Sequence, residues 1–416
     1  MIVRGGTVVT PRGVGVADIA TSDGWIVAVG KNLDADGEEI DASGLHVFPG
    51  GIDSHVHFNE PGRTQWEDIA HGTAALAAGG YTCFVDMPLN NLPVTTTVAA
   101  FDKKLAAMNR WSLLDFGLWG GLVPDNLDQL KPLVKRGVMG FKAFMCPSGI
   151  DEFPECDEET LREGMERIAE LGSVLLLHAE DPNLLLEPAG PTARDFLESR
   201  PPEAELSAIA KAIEIARESG CRIHIVHVST AAGADMIHDA AKAGVDVSGE
   251  TCPHYLLYTG DQLDALGGLG KCAPPLRTQA DQERLWRLSM VVSDHSPSTL
   301  DLKSGDDFRT IWGGISGCQS TRQLLLGSGR VAPSAVAAFT ATNIARRFRI
   351  ANKGDIDAGY DADLWLVDLR EEDVVRREDL LYKNPFSVHE GQKIRGRTVK
   401  TLTRGTPQLI RPAADS

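Results

Sequence analysis

Two histidines stand two positions apart near the start of the chain, in the order His55-Val56-His57. The apolar residues before them, 47–54, predict a β-strand, and side chains two positions apart project from the same face of a strand. Two imidazole nitrogens can therefore converge on one point, which is how proteins often hold a hydrolytic metal ion. The alternative for the pair alone is two ordinary core or surface histidines.

Four further groups with acid–base or metal-binding chemistry end other apolar segments: Lys142, His178, His227 and Asp294. Burial lowers the pKa of a lysine, and the neutral amine can react with carbon dioxide to give a carbamate, an anionic ligand able to bridge two cations. A carboxylate such as Asp294 can accept a proton from water and later return it to a leaving nitrogen. Together these groups predict metal-assisted hydrolysis of an amide. The alternatives are an ion-paired lysine and a satisfied core histidine.

The elements that must position these groups are apolar strands that alternate with amphipathic helices. Strands are predicted at residues 52–57, 82–86, 116–120, 139–144, 174–178, 223–228, 245–250 and 290–294. Helices are predicted at residues 66–78, 97–109, 127–135, 158–171, 203–218, 231–243, 281–288, 321–326 and 333–347. This α/β pattern predicts a (β/α)8 TIM barrel over residues 49–350, with its chemistry at the carboxyl ends of the strands. Strand alternation predicts that His224, three residues before His227, faces away from it.

The two ends of the chain differ from this middle part. Residues 1–48 and 351–416 read as short strands between glycine-rich turns, and we predict that they form one small β-sandwich assembled from both termini. One junction in the barrel is short. The helix at 281–288 runs almost directly into the strand at Met290, whereas such a connection normally takes ~2–6 residues. Either this helix is short, or residues between Leu288 and Met290 are absent from the chain.

Composition limits the class of partner. Lys and Arg number 41 against 58 Asp and Glu, for a formal net charge of -17, which disfavours nucleic acid and acidic membrane surfaces as partners. The seven cysteines are scattered and form no Cys-X-X-Cys pair, which indicates reduced thiols. No apolar run is long enough for a membrane span and the first residues lack the features of a signal peptide, so a cytoplasmic location is expected.

In this order, the six candidate groups resemble those of the cyclic amidohydrolases, which include dihydroorotases, hydantoinases and allantoinases, and the resemblance covers essentially the whole chain. It implies two divalent metal ions, one held by His55, His57 and Asp294 and the other by His178 and His227. It further implies that Lys142, as N6-carboxylysine, bridges them and that Asp294 is the catalytic base. Zinc is the expected metal, although manganese, cobalt and iron suit the same ligands. Relatives of this kind are commonly tetramers or dimers, so a homo-oligomer is expected.

Within that family, several segments are similar to allantoinases: residues 51–63, 86–90, 141–149, 250–256, 293–297 and 312–317. Dihydroorotases usually carry an arginine after the second histidine, where this chain has Phe58-Asn59, and hydantoinases typically have a tyrosine where Cys146-Pro147-Ser148 follows the lysine strand. The resemblance therefore implies opening of the hydantoin ring of allantoin to give allantoate. We predict substrate contacts from Asn90, Cys146, Gly313 and Ser316. Their alternative role is loop structure.

Two other functions remain open at this point. One is a hydantoinase or dihydropyrimidinase of broad specificity. The other is a non-catalytic, hydantoinase-like scaffold protein. Scaffold relatives generally lack several of the metal ligands, whereas this chain retains all six.

Overall fold

A computed structural model of the chain describes residues 1–34 and 37–408. Strands from both termini form a small β domain: β1 (Ile2–Thr10), β2 (Gly13–Ser22), β3 (Trp25–Gly30), β4 (Glu39–Asp41) and β5 (His46–Pro49) at the start, and β14 (Leu364–Val374), β15 (Lys393–Thr403) and β16 (Thr406–Pro407) at the end. They are joined in the order β16-β15-β14-β5-β1-β2-β3, with β4 beside β1. The prediction of one β domain built from both termini is confirmed, and its eight strands are joined in a single sheet where a sandwich was predicted; residues 409–416 lie outside the described residues.

The two ends of the chain meet because their apolar residues share one core. Val47 of β5 lies opposite Leu366 of β14, and both are fully buried with Ile19 and Leu402 in a cluster separate from the main core. Burial of apolar surface is the main favourable term in folding, so this cluster holds the two termini together. The segment between β14 and β15 leaves this domain and returns to the barrel, where the backbone N–H of Lys383 donates to Glu67 at 2.9 Å.

The middle of the chain supplies the barrel strands: β6 (Gly51–Val56), β7 (Tyr81–Asp86), β8 (Asp115–Leu118), β9 (Gly120–Gly121), β10 (Phe141–Phe144), β11 (Val174–His178), β12 (Arg222–Ile225) and β13 (Val247–Gly249). All neighbouring pairs are parallel, in the orders β6-β7-β8 and β9-β10-β11-β12-β13. The third predicted strand is split into β8 and β9 on either side of Trp119. The eighth is reduced to isolated parallel bridges, which join Val291 to Thr251 and His295 to Val56 and so complete the ring.

The helices alternate with these strands: α1 (Ile69–Ala78), α2 (Val98–Trp111), α3 (Leu130–Arg136), α4 (Glu158–Glu170), α5 (Ala193–Ser199), α6 (Pro202–Ser219), α7 (Ala231–Lys242), α8 (Pro253–Leu257), α9 (Leu263–Leu266), α10 (Gln279–Leu285), α11 (Thr321–Gly327), α12 (Pro333–Ala337) and α13 (Asn343–Phe348). Several begin where a side-chain oxygen accepts a hydrogen bond from the first turn, as Thr97, Asp157 and Thr230 do. The fold class predicted from the sequence, a TIM barrel with a small β domain, is confirmed.

The helix before the short junction, α10, ends early. A capping box at Thr278 and Asp281 starts α10, which ends at Leu285, so the helix is short. A cavity of about 210 Å³ lies beside the junction, lined by α7, β13 and residues 287–290.

In the described residues, no helix is both long and apolar enough to cross a membrane.

Lys353 joins the barrel to the β domain. Its Nζ lies 2.7 Å from Asp115 of β8, 2.8 Å from Asp361 and 2.6 Å from Asp363, which precedes β14. Burial would lower the pKa of Lys353, but the carboxylates, above all Asp363, raise it above its ordinary value. The lysine therefore stays charged and neutralises a buried acidic cluster.

We expect Lys353→Met to destabilise the protein by about 3–5 kcal/mol, because it leaves buried carboxylates without their cation. Arg404→Met is the matched control: Arg404 contacts Asp115 at 2.9 Å, but its side chain is 59% exposed. Its loss should cost less than about 1 kcal/mol. Urea unfolding of the two variants measures the difference, and equal midpoints would contradict this role of Lys353.

Candidate active site

The carboxyl ends of the barrel strands bring the six candidate groups together. His55 Nε2 lies 3.2 Å from Asp294 Oδ1, and His57 Nε2 lies 3.4 Å from the same oxygen. On the other side of the site, His178 Nδ1 lies 3.1 Å from His227 Nε2. The imidazoles of His55 and His227 join the two halves, with their ring centroids 5.5 Å apart. The groups predicted at separate strand ends thus share one site.

Two of these residues have strained backbones. His227 has φ 39 and Asp294 has φ 46, both in the left-handed region that non-glycine residues rarely adopt. Such strain persists where the surrounding structure enforces it and is concentrated at functional sites. The segment that carries Asp294 is fixed against β6, because the N–H of His57 donates to the carbonyl of His295 at 2.8 Å.

The left-handed residue at 227 also explains why the prediction for His224 is wrong. His224 pairs in register with Leu176 of β11, in the row that contains Lys142 of β10. It faces the barrel interior, where its Nε2 lies 3.0 Å from Glu250. Simple alternation would then turn His227 outward, but the turn of the chain after β12 redirects its side chain into the site.

A buried carboxylate lies behind one histidine in each half of the site. His55 Nδ1 lies 2.6 Å from Glu250 Oε1, and His178 Nε2 lies 2.7 Å from Glu180 Oε2. A carboxylate that accepts the N–H of one ring nitrogen leaves the other nitrogen free as a ligand and fixes the ring orientation. Neither glutamate was predicted as a site residue from the sequence. Glu250 ends the seventh predicted strand and Glu180 follows His178 by two residues. Their positions at the carboxyl ends of barrel strands could therefore have indicated a role in the site.

These residues fit a pair of metal ions. His178 Nδ1 lies close to His227 Nε2, and because His178 Nε2 donates its N–H to Glu180, His178 Nδ1 keeps its lone pair free to bind a metal ion. His55, His57 and Asp294 offer ligand atoms within 4.8 Å of one another. Imidazole and carboxylate donors in this arrangement suit zinc and its first-row neighbours.

Lys142 lies between the two halves. Its Nζ is buried without a hydrogen-bond partner among the described residues and lies 4.6 Å from the centroid of the Phe144 ring. Burial lowers the pKa of Lys142 to about 7, although the acidic groups led by Asp294 oppose the shift. A large share of this amine is therefore uncharged at neutral pH, which is the form that reacts with carbon dioxide.

The site opens into a cavity of about 350 Å³. Asn90 and Gly313 line it, and Asn90 Nδ2 lies 3.4 Å from His57 Nδ1. Cys146 and Ser316 are buried and are not among the residues that line the cavity, and the carbonyl of Ser316 accepts a hydrogen bond from Ser387. Of the four predicted substrate contacts, the structure therefore brings Asn90 and Gly313 to the cavity surface.

Two buried lysines hold the loop at residues 308–314, which forms one side of the cavity. Lys303 Nζ donates to the carbonyls of Lys271, Trp312 and Gly314 at 3.1, 2.8 and 2.7 Å. Lys271 Nζ donates to the carbonyls of Phe308 and Ile311. An ammonium group can donate three hydrogen bonds, so each lysine ties together backbone segments that have no regular secondary structure.

We expect Lys303→Met to raise KM more than it lowers kcat, because the loop carrying Gly313 loses the hydrogen bonds from Lys303 Nζ to backbone carbonyls while the six candidate groups stay in place. The expected rise in KM is about 10–100-fold, which corresponds to the free energy of one or two such hydrogen bonds. Steady-state kinetics with metal analysis tests this. An unchanged KM would contradict the role given to the loop.

The comparisons with known proteins agree with this geometry. Residues 46–400 match the model of the amidohydrolase family. The structure superposes on L-hydantoinase (dihydropyrimidinase) from Arthrobacter aurescens with a TM-score of 0.94 and 30% identity, over 98% of this chain and 95% of that one. For dihydropyrimidinase from Brevibacillus agri, the TM-score is 0.89 at 29% identity, over 99% and 95% of the two chains. The chain belongs to the amidohydrolase family.

The proteins that are similar to this chain in sequence include allantoinases. The chain is 49% identical to the allantoinase of Rubrobacter xylanophilus, over 97% of this chain and 93% of the relative. It is 47% identical to that of Solibacter usitatus, over 100% and 97%. Within the amidohydrolases, the chain therefore belongs to the family of the allantoinases.

Proposed function

We propose that this protein hydrolyses the hydantoin ring of allantoin to give allantoate. The observation that carries the proposal is the convergence of His55, His57, His178, His227, Lys142 and Asp294 at the floor of one cavity. Such a set of donors is suited to hydrolysis of an amide bond. The identity to allantoinases over nearly the full chain supports allantoin as the substrate.

We further propose that the site holds two divalent metal ions, with zinc as the expected metal. His55, His57 and Asp294 would hold one, His178 and His227 the other, and carboxylated Lys142 would bridge them. When bound, the ions would polarise the scissile carbonyl and lower the pKa of the attacking water. The support is the ligand geometry together with the buried amine of Lys142, which has no hydrogen-bond partner among the described residues.

The protein's own groups then move protons and orient the substrate. Asp294 would accept a proton from the attacking water and return it to the ring nitrogen as the C–N bond breaks, so one carboxylate acts as base and then as acid. Glu250 and Glu180 keep His55 and His178 in the required orientations. Asn90 and the backbone near Gly313 would contact the ring, since both line the cavity, whereas a contact from Cys146 or Ser316 stays a prediction.

A second candidate function is that of a hydantoinase or dihydropyrimidinase, because solved structures with those names superpose closely on this chain. The non-catalytic scaffold has no such support, since all six groups are present and converge. A homo-oligomeric state and a cytoplasmic location stay predictions.

The test is hydrolysis by the purified protein, supplied with zinc or manganese and bicarbonate, of allantoin, hydantoin and dihydrouracil. We expect ring opening of allantoin to give allantoate, with kcat/KM well above that for the other two compounds. Faster turnover of hydantoin or dihydrouracil would favour the second candidate function. No turnover of any of the three by metal-loaded protein would contradict both.

A further inference from the structure

We infer that Arg200 is a specificity-determining residue, which donates a hydrogen bond to the carbonyl of the ureido group that allantoin carries outside its hydantoin ring. This inference rests on the proposed function and goes beyond it, because it assigns recognition of the exocyclic part of the substrate. Arg200 is not on a barrel strand. It lies between α5 and α6 and reaches the cavity from the side.

The guanidinium is held firmly by two of its nitrogens. Nε lies 3.1 Å from Glu180 Oε1 and Nη2 lies 2.6 Å from Glu180 Oε2, a bidentate pair. Glu180 is fully buried and is itself held by His178. A planar guanidinium fixed on one edge presents its remaining donors in a known direction, at little cost in side-chain entropy.

The third nitrogen, Nη1, makes no hydrogen bond to any of the described residues, and the side chain keeps 20% of its surface exposed at the cavity. Lys142, which also lines the cavity, is proposed to be carboxylated and so to carry no positive charge, and the other cations of the lining are occupied or more exposed. Lys271 donates to the carbonyls of Phe308 and Ile311, and Arg309 is paired with Asp307 at the rim with 53% of its side chain exposed. Arg200 is thus the cation that combines a fixed position with a free donor.

The charges of the Arg200–Glu180 pair indicate which kind of acceptor the free Nη1 group of Arg200 would bind. Glu180 already neutralises the charge of Arg200, because its two oxygens accept hydrogen bonds from Nε and Nη2 in a bidentate ion pair that has no net charge. A second carboxylate would bring an unneutralised charge into the site, whereas a neutral urea carbonyl accepts an N–H without one. The ureido group of allantoin offers such a carbonyl, and hydantoin lacks it.

Space for that group exists next to Arg200. Nη2 lies 3.8 Å from Cys146 Sγ, and the edge beyond Cys146 is formed by Pro147, Ser148 and Gly149, whose side chains are short. Phe196 also lines the cavity. A substituent on the ring can therefore extend from the metal ligands toward Arg200.

The test compares two substrates in Arg200→Lys, with Arg194→Lys as the matched control. Lysine can keep the charge beside Glu180 but loses the planar free donor, and Arg194 is an exposed arginine on α5 paired only with Glu198. We expect Arg200→Lys to lower kcat/KM for allantoin about 10–100-fold, the usual worth of one hydrogen bond to a charged group. The kcat/KM for hydantoin should change less than about 3-fold. If hydantoin is not turned over, its inhibition constant, measured with allantoin as the substrate, should change equally little. Metal content should stay at the wild-type value.

Equal losses for allantoin and hydantoin, or a loss of metal in Arg200→Lys, would overturn the inference, because Arg200 would then act only through Glu180 and His178. Unchanged kinetics with allantoin would overturn it as well. These outcomes leave the proposed function standing. Failure of the wild-type protein to hydrolyse allantoin would refute the proposed function, and the inference about Arg200 with it.

Discussion

Replacement of Lys142 by alanine is expected to lower allantoin turnover by at least about 10³-fold, because the site loses the group proposed to bridge its two metal ions and a metal Lewis acid contributes several kcal/mol to such reactions. Lys142 is buried and has no hydrogen-bond partner among the described residues, so its removal should leave the fold intact. Steady-state kinetics with metal analysis measures the effect.

Added short-chain carboxylic acids provide the control for this variant. Alanine leaves a space where acetate or propionate can supply the two oxygens of the missing carbamate, so partial recovery of activity and of metal content is expected. The same acids should not restore a variant that retains Lys142, such as Asp294→Asn. Near wild-type activity of Lys142→Ala without additives would show that the lysine is structural.

Replacement of Asp294 by asparagine is expected to lower kcat by about 10²–10⁴-fold, the usual contribution of a general acid–base group. Asparagine keeps the size and one carbonyl oxygen of the side chain but cannot carry the proton from water to the leaving nitrogen. The loss should appear in kcat more than in KM, because binding of the ring does not depend on proton transfer.

The control for this variant is Asp102→Asn, which removes an exposed carboxylate of α2 that pairs with Arg136. Its kinetics should match those of the wild type. Retention of most of the activity by Asp294→Asn, with both metals bound, would exclude Asp294 as the base.

Much of the fold and site could be predicted from the sequence because the signals were local. Apolar strands alternate with amphipathic helices over the barrel, and because chemistry lies at the carboxyl ends of barrel strands, this pattern alone predicts that His55, His57, Lys142, His178 and Asp294 lie together. The shared core of Val47 and Leu366 likewise agrees with the β domain predicted from the two termini.

The rest depended on contacts between distant parts of the chain. The orientation of His224 could not be predicted, because alternation fails where His227 takes a left-handed conformation. Arg200 reaches Glu180 from a loop 20 residues away, and no strand or helix period connects the two. The eighth strand is held by single bridges to Thr251 and Val56, so its residues lack the regular ladder that the sequence pattern predicts.

Metal analysis of the purified protein tests most directly whether two cations share the ligands of a single site. For protein purified with zinc and bicarbonate, we expect two equivalents per chain, falling below one in Lys142→Ala and recovering when acetate is added. Fully active protein with one equivalent or none, or a Lys142→Ala variant that keeps both ions without additives, would contradict this sharing of ligands.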